Sequence, residues 1–248
     1  MGAIPVIISD LDSAPNRLPE LLSRAGLGLR KAPYALVKSN ICGLYHPKID
    51  LLSRLIEFLL SFSELVIIGE TRSMVHDPEE QFNRLGLTAL TGRFGRRLKL
   101  IDLSDDRSIK IRVPHPHALN EVELPTTALK AEVLINLAKM GTHSSTRITG
   151  ALKNLFGLLP EKHKYSVYHP LGMNEVVTDI SQIVKPHINI VEVKDKVVLG
   201  VDALAVDIVA CRLFNIDPSR VEHFQFVLQD RLEEFETFSK KIRVMDSR

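Results

Sequence analysis

Residues 49–70 read IDLLSRLIEFLLSFSELVIIGE, and this stretch decides the fold class. Over residues 49–62, leucine and isoleucine recur at the spacing of one helix face, which predicts a helix with a wide apolar stripe. Over residues 65–69 the chain is continuously apolar, which is typical of a parallel strand buried on both faces. A helix that leads directly into such a strand predicts a βαβ unit.

The alternation of short apolar runs and longer amphipathic runs continues on both sides of this stretch. The other predicted strands are residues 5–9, 34–38, 98–103, 108–113, 133–137, 188–193 and 197–201. The other predicted helices are residues 18–25, 78–85, 176–184, 203–214 and 221–238. We therefore predict an α/β fold, with a mostly parallel sheet flanked by helices and built from βαβ units. The prediction is one α/β domain over residues 1–248, with an irregular excursion at residues 104–127.

The composition of the 248-residue chain narrows the class of function. Hydrophobic residues make up 45% and charged residues 25%, which is ordinary for a globular protein. The net charge is only +2, whereas a nucleic-acid-binding protein is expected to have a strongly basic face. One local basic cluster is interpreted as a solvated loop: Arg93, Arg96, Arg97 and Lys99. We therefore predict no nucleic-acid partner.

The cysteines indicate which metal cofactors the chain can hold, and the apolar segments indicate its cellular location. The two cysteines are Cys42 and Cys211, and neither belongs to a CxxC pair, so the sequence predicts no iron–sulfur cluster within this chain. The N-terminal apolar run is too short for a signal peptide, and no segment approaches the ~20 apolar residues of a membrane span. These features predict a cytoplasmic protein with no membrane partner.

Several motifs of known chemistry are absent from the sequence. There is no GxGxxG fingerprint after a strand, no phosphate-binding P-loop, no GxSxG elbow and no HExxH zinc motif. His115 and His117 flank a proline, but no third metal ligand lies at a suitable spacing. We interpret these two histidines as surface or substrate-facing residues.

Residues 133–160, VLINLAKMGTHSSTRITGALKNLFGLLP, are the segment that most strongly indicates a functional site. A buried strand at residues 133–137 leads to a cluster of hydroxyl side chains, and a helix is predicted to begin near Ser145 or Thr146. A helix start after the carboxyl end of a strand attracts anions, because its N–H groups are free and its dipole is positive there.

The predicted helix has one polar face, and His143 lies just before the start of the helix. The residues on this face are Thr146, Thr149, Gly150 and Lys153. These side chains would suit a phosphate or a carboxylate. The alternative is an ordinary capped helix with a solvated polar face. Gly150 and Gly157 weigh against that alternative, because a better helix former would be more stable at either position.

The same segment resembles the hallmark of a known family. Residues 139–160, above all Thr142-His143 and the run ITGALKNLFG at residues 148–157, are similar to the family called domain of unknown function 362. Shorter pieces agree in order: residues 38–40, 68–70, 164–169 and 202–207. The resemblance implies a cytoplasmic α/β protein from a bacterium or archaeon. Some relatives carry ferredoxin-like domains, which implies an association with redox or anaerobic metabolism.

The sequence departs from the family pattern at two places. The family's second basic residue, in a Lys-Met-Lys-Thr-His string, is Gly141 here. The family's glycine-rich acidic stretch before the final βα unit is missing, and residues 190–194 run straight on to Val197. If that stretch closes over a ligand in the family, this chain lacks the closing element, and its activity would be impaired.

The resemblance implies a set of site residues: Lys38, Asn40, Glu70, Lys139, His143, Thr146, Thr149, Lys153, Asn154, Asp202 and Asp207. Asp202 has a simpler interpretation as the cap of the helix that follows it. Asp207 lies inside an apolar helix, where a carboxylate needs a partner or a ligand, so it is the better functional candidate of the two.

The first class of function that these residues indicate is an enzyme acting on a small anionic metabolite, with His143 as general acid/base. Three lysines would hold the anion: Lys38, Lys139 and Lys153. Glu70 or Asp207 would act as a second acid/base or bind a divalent cation. In a metal-dependent variant, both carboxylates would bind the ion together with His143.

The second class is a non-catalytic partner of an iron–sulfur or other redox protein. The basic cluster at residues 93–99 would then meet an acidic ferredoxin. The sequence does not decide between an enzyme and a partner protein, and it leaves the substrate and a homo-oligomeric assembly open.

Overall fold

The computed structural model describes residues 2–28, 31–43 and 45–247. Within these ranges the strands are β1 (Ile4–Asp10), β2 (Ala32–Lys38), β3 (Ser63–Glu70), β4 (Leu98–Asp102), β5 (Ser108–Arg112), β6 (Glu121–Pro125), β7 (Val133–Lys139), β8 (Gly141–His143), β9 (Arg147–Thr149), β10 (Ile188–Val193), β11 (Lys196–Gly200) and β12 (Ile242–Asp246). The helices are α1 (Ala14–Arg24), α2 (Ile49–Leu59), α3 (Pro78–Arg84), α4 (Leu87–Phe94), α5 (Thr126–Leu129), α6 (Ala151–Leu155), α7 (Lys164–Tyr168), α8 (Met173–Ile183), α9 (Ala203–Leu213), α10 (Glu222–Asp230) and α11 (Phe235–Lys241). None of these helices combines the length and the apolar content that crossing a membrane requires.

Eight of the strands form one central sheet, in the order β12-β1-β11-β10-β7-β2-β3-β4. Neighbouring strands are parallel except where β11 meets β1 and β10, to which it runs antiparallel. The predicted α/β fold with a mostly parallel sheet is therefore confirmed. Two strands at the centre, β7 and β10, have the most continuous burial.

Helices cover both faces of the sheet, which explains why the central strands are apolar along their length. On one face, α1 and α2 bury leucines such as Leu22 and Leu55. On the other face lie α6 and α9, which contact β7 and β10. Successive residues of one strand serve opposite faces, so Val37 packs with α1 and α2 while Leu36 packs on the other side.

The end of the chain differs from the sequence-based prediction. The helix predicted over residues 221–238 is two helices, α10 and α11, because the chain turns at Leu232, which has a left-handed φ of 54°. After α11, β12 joins the edge of the sheet parallel to β1. The sequence pattern does not predict this strand, because none of its five residues is buried.

The excursion at residues 104–127 is not irregular throughout, because β5 and β6 form an antiparallel pair within it. The loop between these strands is anchored on α8 by the buried Asp179. Its carboxylate accepts the backbone N–H groups of His117, Ala118 and Leu119 at 2.8, 2.8 and 2.7 Å. The His117 side chain also contacts Asp230 at 2.9 Å, so this histidine helps to fix the loop on α10.

A tight turn stands where the family's glycine-rich acidic stretch is missing. The antiparallel pairing of β10 and β11 extends to Val193 and Lys196, so that Lys194 and Asp195 form the turn between them. Lys194 has a left-handed φ of 54°, and the Asp195 carbonyl accepts the N–H of Leu11 at 2.8 Å. The two strands are therefore joined directly and held in the sheet.

Candidate functional site

A cavity of about 340 Å³ lies at the carboxyl ends of β2, β3 and β7, the edge at which open parallel sheets bind ligands. The loops after β2 and β3, the β8–β9 hairpin, α6 and α7 surround it. The cavity is lined by seven of the site residues expected from the sequence: Lys38, Asn40, Glu70, His143, Thr149, Lys153 and Asn154. The other four do not line it: Lys139, Thr146, Asp202 and Asp207.

The helix predicted to begin at Ser145 or Thr146 begins instead at Ala151, so this prediction is wrong. Residues 141–149 form the antiparallel hairpin β8–β9. The polar side chains that resemble a helix cap stabilise its turn. His143 Nδ1 accepts the N–H groups of Ser145 and Thr146 at 3.2 and 3.3 Å, and Thr146 Oγ1 donates to the Ile148 carbonyl at 2.9 Å. Thr146 is consequently buried in the hairpin.

Asp207 of α9 occupies the start of α6. Its two carboxylate oxygens accept the N–H groups of Ala151 and Leu152 at 2.6 and 2.9 Å. Burial raises the pKa of Asp207 to about 7, and the two N–H bonds oppose this change. The anion that the sequence led us to expect at this helix start is thus supplied by the protein itself. Asp202 caps α9, as interpreted from the sequence, by accepting the Ala205 N–H at 3.0 Å.

Replacement of Gly150 by alanine is expected to destabilise the protein by about 1–3 kcal/mol. A Cβ at this position would lie 2.5 Å from Asp207 Oδ1, and the carboxylate cannot withdraw without releasing the first turn of α6. Urea unfolding measures the effect. The matched control is Gly92→Ala in α4, where the new Cβ would have no neighbour within 4 Å and is expected to stabilise the helix slightly. Equal stability of Gly150→Ala and the wild type would contradict the close contact.

A row of buried polar side chains crosses four neighbouring strands beneath α6: Asn189 of β10, Asn136 of β7, Lys38 of β2 and Glu70 of β3. Asn136 donates to Asn189 Oδ1 at 2.8 Å, and Lys38 Nζ lies 2.6 Å from Glu70 Oε1. Asn154 of α6 links the two halves, because it donates to Asn136 Oδ1 at 2.7 Å and accepts from Lys38 Nζ at 3.0 Å. Buried polar groups need such partners, so the row ties α6 to the sheet.

Lys38 and Glu70 form a buried ion pair at the base of the cavity, with side chains only 1% and 3% exposed. The Glu70 carboxylate also accepts the N–H groups of Ile41 and Thr71, at 3.0 and 3.1 Å. Gly157 leaves room for the ammonium group, since a Cβ at this position would lie 2.7 Å from Lys38 Nζ. The charge of Lys38 is therefore balanced within the protein.

Lys164, the first residue of α7, provides a second buried ammonium group. Its Nζ donates to Thr71 Oγ1 at 2.9 Å and to the Arg72 carbonyl. Burial lowers the pKa of Lys164 to about 8, although Glu70 opposes this change. Within the described ranges no carboxylate forms an ion pair with Lys164, so its charge is held by neutral oxygen atoms.

Lys153 of α6 is the third lysine of the cavity. Its Nζ lies 4.1 Å from the centroid of the Phe156 ring, and none of the described residues offers it a hydrogen-bond acceptor or a carboxylate. Burial, followed by the charges of Lys38 and Lys164, lowers its pKa to about 7. Near neutral pH, Lys153 is therefore an uncharged amine in a substantial fraction of the molecules.

Two histidines, His143 and His169, line the cavity with ring centroids 6.2 Å apart. The ring of Tyr165 stacks on His169 at a centroid distance of 4.0 Å. Burial and then the charge of Lys153 lower the pKa of both histidines, and that of His143 falls to about 4. Because His143 Nδ1 accepts N–H groups of the hairpin turn, its proton is assigned to Nε2. At neutral pH His143 is thus an uncharged hydrogen-bond donor.

Lys139 and Gly141 have structural explanations. Lys139 Nζ lies 2.6 Å from the buried carboxylate of Glu192, which also accepts the N–H of Lys48 at 2.7 Å. The charge of Lys139 is therefore already paired outside the cavity. At Gly141, a Cβ would lie 2.4 Å from the Tyr45 ring. The space that a larger residue would occupy at this position is filled by Tyr45.

The set of metal ligands considered from the sequence does not come together. In the described part of the chain no three histidine, cysteine, aspartate or glutamate residues are arranged to hold a metal ion. Asp207 is bonded to the backbone of α6, whereas Glu70 and His143 line the cavity. Glu70 is itself occupied by Lys38.

The basic cluster at residues 93–99 is partly used by the fold. Arg93 pairs with Glu57, and Arg97 donates to the backbone carbonyls of Leu60 and Ser63. Arg97 is therefore a structural residue, which leaves less of this cluster for a partner than the sequence indicates.

Sequence reasoning missed part of the site. The predicted site does not include Lys164, Thr71 or the stacked pair Tyr165–His169, although residues 164–169 are among the pieces that resemble the family. These residues lie in loops or in short helical segments, where no periodic pattern marks them. Asn136 and Asn189 did carry a signal. Each is a single amide within an apolar strand, and such a residue needs a buried partner.

Comparisons with known proteins identify a family and a distant likeness in structure. The lactate racemase apoprotein from Thermoanaerobacterium thermosaccharolyticum is similar in structure, with a TM-score of 0.45 and 11% sequence identity. The alignment covers 86% of this chain and 56% of that chain, so the chain spans little more than half the length of that protein. No curated protein matches the sequence. Residues 36–193 match the model of the family described as Domain of unknown function (DUF362), and the chain belongs to this family.

Proposed function

We propose that the cavity binds a small metabolite that carries a phosphate or carboxylate group. The observation that carries this proposal is Lys153, an ammonium-forming side chain that faces the cavity and has no acceptor among the described residues. An anion in contact with its Nζ would supply the missing partner and offset the cost of burying its charge.

The balance of charge in the cavity supports an anionic ligand. Three lysines face the same space, whereas the carboxylate among its lining residues, Glu70, is paired with Lys38. Arg72 also reaches the rim, but Asp102 contacts its Nε at 2.7 Å from outside the cavity lining. The charges of Lys153 and Lys164 are left without a carboxylate, so the cavity has an excess of positive charge.

Hydrogen-bond donors complete this environment. An ammonium group has three N–H donors, and Lys164 uses two of them on Thr71 and Arg72, which leaves one for a ligand. His143, on the β8–β9 hairpin, adds a neutral donor. Acid/base chemistry at neutral pH is then assigned to Lys153 rather than to His143, because the pKa of Lys153 is about 7 and that of His143 about 4.

Calorimetric titration with inorganic phosphate and with acetate tests the proposal. Lys153→Met is expected to weaken binding about tenfold or more, since a charge-assisted hydrogen bond contributes about 1.5–3 kcal/mol. The affinity of the wild type should also fall as the pH rises through about 7, because Lys153 then loses its proton. Binding above this pH should be accompanied by proton uptake.

The matched control is Lys99→Met, which removes an exposed lysine of β4 outside the cavity. Its affinity for both anions should equal that of the wild type. Wild-type protein that binds neither anion, or that binds both as Lys153→Met does, would refute the proposed site.

A further inference from the structure

We propose that the ligand of this cavity is a carbonyl compound, either an oxo acid or a phosphorylated aldehyde, and that its carbonyl carbon forms an imine with Lys153 Nζ. This inference rests on the proposed function, because it places the anionic group of the same molecule on the neighbouring ammonium groups. It adds to that function the chemical class of the ligand and a covalent role for one residue.

The three lysines differ in their hydrogen-bond partners. This difference assigns two of them to anion binding and the third to covalent reaction. Lys38 is fixed by Glu70 at 2.6 Å and by Asn154 at 3.0 Å. Lys164 is fixed by Thr71 at 2.9 Å and by a backbone carbonyl. Each of these ammonium groups uses two of its three N–H donors on these partners and keeps one for an anion.

Lys153 is the lysine whose nitrogen is free to react. Its Nζ rests against the face of Phe156 and makes no hydrogen bond to the described residues. A lysine becomes a nucleophile when desolvation and neighbouring cations favour its neutral form, and both conditions hold here. Burial is the first cause of its lowered pKa, and the charges of Lys38 and Lys164 are the next.

The reaction balances without an oxidant or a reductant. The neutral amine of Lys153 attacks the carbonyl carbon, so that a C–N bond forms and the carbonyl electron pair moves to oxygen. That oxygen leaves as water, with the two hydrogens that the amine nitrogen loses, and a C=N bond replaces the C=O bond. Lys164, with a pKa of about 8, is a protonated acid in the same cavity, and the neutral His169 can accept a proton.

The rim of the cavity fits a ligand with an organic part beside its anionic group. Met74, Val75 and Tyr165 line the cavity and are 71%, 68% and 58% exposed. These side chains lie on the loop after β3 and on α7, whereas Lys38 and Lys164 are buried and Lys153 is only partly exposed. A bare inorganic anion would contact only the inner part.

Glyoxylate is the probe that tests the inference, because it combines a carboxylate with an aldehyde in a very small molecule. The full chain is incubated with glyoxylate and sodium cyanoborohydride near neutral pH, and the labelled lysines are identified by peptide mass spectrometry. Lys153 is expected to gain a carboxymethyl group at least about tenfold faster than the exposed Lys99 of the same molecule. Excess phosphate or glycolate, which has no carbonyl group, should slow the labelling of Lys153 and not that of Lys99.

Two variants separate charge from reactivity. Lys153→Arg keeps a cation at this position and should abolish the fast labelling, whereas Lys99→Arg should leave it unchanged. The comparison of Lys153 with Lys99 within the wild type does not depend on either variant folding.

The outcomes distinguish this inference from the proposed function. If phosphate binds and Lys153 reacts no faster than Lys99, the imine is refuted and the anion site stands. If Lys153 reacts fast but phosphate and glycolate do not slow it, the anionic character of the ligand is refuted. Fast labelling of Lys153 that both anions suppress supports the inference.

Discussion

Glu70→Ala is expected to destabilise the folded protein by about 3–5 kcal/mol, because it leaves the Lys38 ammonium group buried without a carboxylate. Removing one partner of a buried ion pair costs more than the pair contributes, since the remaining charge cannot reach water. The same substitution also removes the acceptor of the Ile41 and Thr71 N–H groups. Urea unfolding at neutral pH measures the loss.

Two comparisons show whether the buried charge is the cause. The double variant Lys38→Met with Glu70→Ala removes both charges and should be more stable than Glu70→Ala alone. Arg54→Ala breaks a pair with Glu57 in which the arginine side chain is 46% exposed, and it should cost at most about 1 kcal/mol. A double variant less stable than Glu70→Ala would show that Lys38 contributes through its contacts rather than through its unpaired charge.

The fold could be predicted from the sequence because its main signals are local. Continuous apolar runs indicated buried parallel strands, and β3 follows α2 as the pattern of residues 49–70 predicts. Signals failed where distant contacts decide the structure. The chain around Ser145 forms a hairpin rather than a helix, and the cap of α6 is not a nearby Ser or Thr but Asp207, which lies on α9.

The site could be predicted only in part, for the same reason. Lys38 and Glu70 end neighbouring strands, so the order of the sheet brings them together at one edge. Their connection to Asn136 and Asn189 depends on β7 lying between β2 and β10. No local sequence pattern predicts this order of strands in the sheet. Gly150 indicated a site in the sequence, but the sequence does not give the reason for this glycine. Gly150 is required by a carboxylate from another helix, a contact that the sequence alone does not show.

Lys153→Met is expected to stabilise the folded protein at acidic pH by a few kcal/mol and to have little effect at strongly alkaline pH. The lowered pKa of Lys153, about 7 against an ordinary value of 10.5, means that the unfolded chain binds a proton more readily than the folded one. Stability therefore rises with pH between these two values, at about 1.4 kcal/mol per unit of pKa difference. Below pH 7 both states are protonated, and the folded wild type bears the full cost of the buried charge.

The difference between the two unfolding free energies, measured in urea from about pH 6 to about pH 10, removes the pH dependence of groups that do not interact with Lys153. Asp207, whose pKa burial raises, also makes stability depend on pH, but it is present in both proteins, so its contribution cancels in the difference. Lys99→Met should run parallel to the wild type, because an exposed charge is not desolvated by folding. Parallel curves for Lys153→Met and the wild type would mean that Lys153 remains solvated. The cavity would then lack the desolvated amine on which both anion binding and imine formation depend.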